Sequence, residues 1–119
     1  MARITDLNRY RRVYPTTRAR RRIPDRLPIE TITSSKTVSR RDYIVQVNHT
    51  AAVTVTLPGS PDVGEMYVVK DISGGAGEFN ITVNTADSKT FDSNVSTYVI
   101  GTDYQSTAFV WDGTFWRVL

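Results

Sequence analysis

The sequence has no cysteine, and His49 is its one histidine. Without thiols there is no disulfide framework, no thiolate nucleophile and no cysteine-based zinc or iron–sulfur centre. One imidazole does not make a multi-histidine metal centre. Long apolar runs are also missing. The longest, residues 66–69 and 108–111, span four residues each, whereas a membrane-crossing helix needs about twenty. No membrane partner is therefore expected. Residues 1–30 contain no apolar stretch like a signal-peptide core, so synthesis in a cytoplasm is expected. Lysine is scarce as well, and none occurs in the first 30 residues.

What the chain does have is charge asymmetry. Its 119 residues carry a net charge of +3. Residues 1–30 hold nine arginines against Asp6, Asp25 and Glu30, a net of +6, which leaves −3 for residues 31–119. A basic arm on a mildly acidic body is a different object from a uniformly basic protein. The arm is read as residues 1–35 and the body as residues 36–119. Pro15, Pro24 and Pro28 interrupt any long helix in the arm and favour extended backbone. Ile4, Leu7 and Tyr10 are spaced for one short helical turn. Ile23, Leu27, Ile29 and Ile32 add apolar pegs. An extended strap with pegs suits docking on another protein.

The body alternates with period two. Val45 and Val47, Val53 and Val55, and Ile81 and Val83 are separated by single, mostly polar residues. Such runs, rich in β-branched residues, predict half-buried strands. Residues 65–72 look apolar on both sides. Turn-formers lie between the runs, at residues 58–62, 74–77 and 92–94. The expected fold is all-β, a compact antiparallel sandwich or barrel-like module of about seven or eight short strands. Asp112-Gly113 predicts a two-residue type I′ hairpin, setting Trp111 opposite Thr114 and Phe109 opposite Trp116. Phe109, Trp111, Trp116 and Val118 then share one face, and Ala108, Val110 and Phe115 the other. With both faces apolar, one suits the core and the other a subunit contact. Phe109, Trp111, Phe115 and Trp116 are the expected core or oligomer anchors.

Chemistry-bearing motifs are few. His49 follows a strand with no serine-centred elbow or paired acid beside it, and reads as a turn histidine. Gly74-Gly75-Ala76-Gly77 lacks the Lys-Ser/Thr of a phosphate-binding loop and precedes a strand, so it reads as a tight turn. Asp87, Asp92 and Asp103 match no EF-hand spacing. No catalytic residue, cofactor or metal site is assigned. The strong electrostatic signal is in the arm: Arg9, Arg11, Arg12, Arg18, Arg20, Arg21, Arg22 and Arg26. Guanidinium forks pair with carboxylates or phosphates. The arm thus suits an acidic protein surface, with Ile23, Leu27 and Ile29 as pegs, or nucleic acid, with Tyr10 and Tyr14 stacking.

An ordered series of segments carries a resemblance. VTVTLP at 53–58 is followed by GEMYVVKD at 64–71, GGAG at 74–77, NITVN at 80–84, TFDSN at 90–94 and FVWDGTFW at 109–116. The series resembles a small β module of tailed-bacteriophage structural proteins: tail fibres, tail spikes, head fibres and capsid decoration proteins. The resemblance implies a virion structural protein, commonly a homotrimer, with no enzyme activity in the module. It departs at Asp92-Ser93, where the module usually reads Asp-Gly, and in having little but the arm before it, where fibre proteins usually carry the module at the end of a long chain. Together these favour a capsid decoration or short head-fibre protein, its arm anchored on the major capsid protein or another virion protein. The alternatives are a tail-fibre or adhesin component, a nucleic-acid-binding protein using the arm, and a carbohydrate-binding domain stacking sugars on Tyr98 and Tyr104.

Overall fold

The computed structural model describes residues 26–39 and 42–119. Among these residues the period-two runs form nine short strands and no helix. They are β1 (Ile29–Ile32), β2 (Lys36–Thr37), β3 (Ile44–Val47), β4 (Val53–Thr56), β5 (Met66–Asp71), β6 (Ile81–Asn84), β7 (Thr97–Ile100), β8 (Ser106–Trp111) and β9 (Trp116–Val118). The all-β expectation is met. The proposed turn at residues 4–10 lies outside the described residues. Of the segment read as an arm, residues 29–32 form β1.

The strands make a five-stranded sheet, ordered β9-β8-β5-β3-β1, and a four-stranded sheet, ordered β2-β4-β6-β7. From β1 to β6 the chain changes sheet at every connection. β1, β3 and β5 therefore stack in parallel in the first sheet, and β2, β4 and β6 in the second. Parallel neighbours need a crossover, and here the crossover of each sheet is a strand of the other. β7, β8 and β9 then run antiparallel to their neighbours. The expected antiparallel arrangement is corrected: both sheets are mixed. A half-buried strand alternates with period two whatever the direction of its neighbour, so the pattern reveals faces and not partners.

The alternation places one residue in two inside. Val45, Val47, Val53, Val55, Tyr67, Val69, Ile81, Val83, Ile100, Phe109 and Trp111 all face a single core between the sheets. β5, expected to be apolar on both sides, buries Tyr67, Val69 and Asp71 and leaves Met66, Val68 and Lys70 half-buried on its outer side. At the β1/β2 end of the stack charge shares the inward positions with Ile32. Glu30 is in register with Val45, and Lys36 with Val55. The Lys36 ammonium lies 3.2 Å from Glu30 and 3.6 Å from Asp42. Its hydrogen bond to Glu30 holds the ammonium above its usual pKa range. The ion pair lies at the edge of the apolar interior, where no further strand follows among the described residues.

The C-terminal hairpin corrects the expected register. Trp111 pairs with Trp116, Val110 with Arg117 and Phe109 with Val118. Residues 112–115 form the loop. Asp112 lacks the positive φ that a type I′ turn requires at both central residues; Gly113 has it, at 101°. The reason is the Asp112 side chain. Its Oδ1 accepts the amides of Thr114 and Phe115, each at 2.8 Å, and its Oδ2 accepts Arg117 Nε at 2.6 Å. The slip of two residues preserves the faces, because side chains repeat every two residues. Phe109, Trp111 and Trp116 are buried as expected, and Phe115 is half-buried in the loop.

Trp116 is fully buried, 5.9 Å from the Tyr67 ring and 5.6 Å from the Trp111 ring. Phe91 and Tyr98 extend this cluster to Phe109, at centroid distances of 5.4 and 5.5 Å. Replacing Phe109 by Ala is expected to cost about 3–5 kcal/mol, the range for deleting a buried aromatic ring. Val99→Ala, on the outer side of β7, should change stability by less than about 0.5 kcal/mol. Urea midpoints of the two variants check the difference.

Candidate functional site

The topology gathers the connections after β1, β3, β5 and β7 at one end of the strands. There, at the last position of β5, the alternation turns a carboxylate inward: Asp71 is fully buried. A buried carboxylate is tolerated when donors surround it. Asp71 Oδ1 accepts the Ser73 amide at 3.0 Å, the Gly74 amide at 3.1 Å and the Ser73 hydroxyl at 2.8 Å. Oδ2 accepts the Ala76 amide at 3.0 Å and the Tyr104 amide at 2.9 Å. Burial alone would push this carboxyl up. The Tyr104, Ser73 and Ala76 donors outweigh burial and bring it down to about 2.

This arrangement explains the glycine-rich segment. Residues 74–77 make a tight turn, as expected from the sequence, and its amides do converge on an anion. The anion is the chain's own. Beyond the three amides held by Asp71, the Gly75 amide donates to Ser73 Oγ at 3.2 Å and the Gly77 amide to Asp103 Oδ1 at 2.8 Å. Every amide from residue 73 to residue 77 is thus taken by a side chain of the protein. Gly74 has φ +77° and lies under the Tyr104 ring, so a side chain there would collide with it.

His49 joins the same knot from the connection after β3. Its Nε2 donates to the Phe79 carbonyl at 2.7 Å, since a carbonyl oxygen can only accept. Its Nδ1 faces Ser73 Oγ at 3.1 Å and Asp71 Oδ1 at 3.8 Å. Serine, histidine and aspartate therefore meet, but not in a hydrolytic order. A hydrolytic triad places serine and acid on opposite ring nitrogens. Here both lie on the Nδ1 side, and a carbonyl closes Nε2. The trio is a staple linking three connections. Sequence reading missed it because the partners lie 24 and 33 residues apart. The local signal was Asp71-Ile72-Ser73-Gly74, an aspartate followed by small turn residues able to fold back on its carboxylate.

The other candidates scatter. Asp92 holds the last strand, accepting the Val118 amide at 3.3 Å and Arg117 Nη1 at 3.4 Å. Asp103 holds Gly77, and Asp87 packs on Gly59. Among the described residues no group of three or more acidic or histidine side chains gathers as for a metal ion. Of the two tyrosines considered for sugar stacking, Tyr98 packs against Phe91 and Phe109 in the aromatic cluster. Tyr104 is 60% exposed, but it is held over Gly74, with its carbonyl accepting Lys70 Nζ.

Of the expected partner-binding residues, Arg26, Leu27 and Ile29 are described and exposed. Arg9, Arg11, Arg12, Arg18, Arg20, Arg21, Arg22 and Ile23 lie outside the described residues. Phe109, Trp111 and Trp116 are core residues. Compared with known proteins, the chain matches no family model and no curated sequence.

The Asp71 knot makes a pH prediction. Its carboxyl falls from 3.8 to about 2 on folding. The folded state is therefore favoured above the unfolded value, and that advantage is lost as pH falls from about 4 through 2, below which both states become protonated. The shift corresponds to about 2 kcal/mol. Asp112, also lowered to about 2 by the Phe115 and Thr114 amides and Arg117, titrates in the same window. Asp71→Asn is expected to lose about 2–3 kcal/mol at neutral pH, since it turns an amide group towards amide donors. It should also flatten the stability loss between pH 4 and 2, as read from thermal melts across that range.

Proposed function

We propose that this chain is a structural protein of a tailed-phage virion, a capsid decoration or short head-fibre protein. In this reading the Arg-rich arm anchors it to the particle and the β body assembles with further copies. One observation carries the proposal: the ordered segment series that resembles the phage module maps in order onto structural elements. VTVTLP holds β4, GEMYVVKD holds β5 and ends on the buried Asp71, and GGAG wraps that carboxylate. NITVN holds β6. TFDSN bridges Phe91 to Trp116 and supplies Asp92 to β9. FVWDGTFW is the closing hairpin. Each segment has a mechanical task, which is what a module built to bear load and present surface requires.

The arm's net +6 over residues 1–30 gives its chemistry. Arginine forks pair with capsid carboxylates, and apolar pegs fill shallow pockets beside them. The same charge favours one second reading, that the arm binds packaged nucleic acid through its phosphates.

The test uses phage particles stripped of this protein. The full chain is expected to rebind them at a saturating stoichiometry and to restore resistance to heat or osmotic shock. A chain lacking residues 1–25 should not rebind. Unchanged shell stability and unchanged host attachment with and without the protein would contradict the reading. Retention of the full chain on DNA, falling steeply with salt, would favour the nucleic-acid reading instead.

A further inference from the structure

Tyr104 breaks a local rule that nothing inside the chain requires it to break. The Gln105 amide donates to the Thr102 carbonyl at 3.0 Å, closing a turn over residues 102–105. Tyr104 has φ +63° while Asp103 has no positive φ, and among the standard turns type II alone has that pattern. The third position of a type II turn belongs to glycine or asparagine. A tyrosine held there is strained, and strain of this kind gathers at functional sites. The backbone bonds of Tyr104, to Asp71 Oδ2 and from Lys70 Nζ, would be made by any residue. The tip of its ring rests over Gly74, yet the residue is 60% exposed and its hydroxyl has no partner among the described residues. The chain thus fixes an aromatic ring in place and leaves it in water.

Beside the ring lies a polar row on the outer face of the five-stranded sheet. Thr31, Gln46, Lys70 and Ser106 stand in register on neighbouring strands. Lys70 joins the row to the ring: its ammonium donates to the Tyr104 carbonyl and lies 5.9 Å from the ring centre. Thr31 donates to Gln46 Oε1 at 3.1 Å, which leaves the Gln46 amide nitrogen and the Ser106 hydroxyl without partners among the described residues. The row holds no acid, and its one cation is engaged within the chain. The next outward row is aliphatic, with Val68 and Ala108 at its centre. Neighbouring strands lie about 4.8 Å apart, close to the length that one pyranose unit adds to a linear glycan.

We infer that Tyr104 and the row from Ser106 to Thr31 bind a linear, uncharged oligosaccharide of about four sugar units, one per strand. A sugar ring has an apolar C–H face and a rim of hydroxyls. The face stacks on the exposed ring of Tyr104. The hydroxyls exchange hydrogen bonds with Ser106, Gln46 and Thr31, while the aliphatic row beside them meets the remaining C–H groups. Charge selects this ligand class. Nucleic acid or an acidic chain needs free cations, and Lys70 is already committed to Tyr104. A cationic ligand would meet the Lys70 ammonium beside the ring. The turn strain has a purpose in this account, since a ring already fixed loses little freedom when a ligand stacks on it. The inference stands apart from the virion reading and needs neither the arm nor a second copy.

The test follows the amide NMR signals of the full chain during titration with cellotetraose, maltotetraose and tetra-N-acetylchitotetraose. At millimolar concentration at least one is expected to move the Tyr104, Gly74 and Ser106 amides. It should bind more tightly than its own disaccharide, because only the longer chain reaches along the row. Tyr104→Asn fits the turn, so it should keep or raise the urea midpoint while weakening binding about tenfold. Gln46→Ala should remove the advantage of the tetrasaccharide and leave disaccharide binding unchanged. Unmoved amides with all three tetrasaccharides would overturn the inference, as would equal affinity for the disaccharide and the tetrasaccharide. So would a drop in the midpoint of Tyr104→Asn as large as that of Phe109→Ala, since the ring would then serve the fold and not a ligand.

Discussion

The carboxylate of Asp71 holds one end of this protein together. It sits where β5 leaves the first sheet for the second, and it is the common acceptor for the turn that follows and for the connection entering β8. His49, through Ser73, ties in the connection after β3. The chain changes sheet at each early connection, so those connections bear the stress that long strands or helices carry elsewhere. Short strands of two to six residues contribute little stability each. A buried anion with five donors fixes the spacing of the crossovers and so the register of the parallel strands. The opposite end has an exposed counterpart in Asp112, which shapes the closing hairpin and meets Arg117.

Much of the local structure was legible in the sequence, and for a plain reason. Alternating valine and polar residues must place one side inward, and Val53 and Val55, or Ile81 and Val83, do so. The hairpin faces were legible for the same reason, even though the loop proved longer. Pairing direction was not legible, because parallel and antiparallel strands share one side-chain period. Hairpin register was lost to a side chain, since Asp112 outcompetes the two-residue turn that Asp-Gly favours in isolation. The Asp71 knot was invisible because its partners are distant in sequence. The glycine-rich segment drew notice as a possible anion cradle. It reads from sequence as a tight turn, and it is one; that its amides gather on a carboxylate was not legible, because the anion belongs to the chain itself.

The sheets divide the labour of the body. The outer face of the four-stranded sheet is rich in hydroxyls, and the interior between the sheets is apolar apart from the Asp71 knot, Thr107 and the Glu30–Lys36 pair at its edge. Such a body suits mechanical and presentational work, with attachment delegated to the arginine arm. The proposed virion role draws on this division between a packed β core and a separate charged strap.

Amide hydrogen exchange at single-residue resolution tests the central role of Asp71 most directly. The amides of Ser73, Gly74, Ala76 and Tyr104 lie in connections, where exchange is ordinarily fast. If Asp71 anchors that end of the fold, they exchange as slowly as the amides of β5 and β8, through the same global opening. Exchange at the rate of the exposed loop at residues 92–96 would contradict the account.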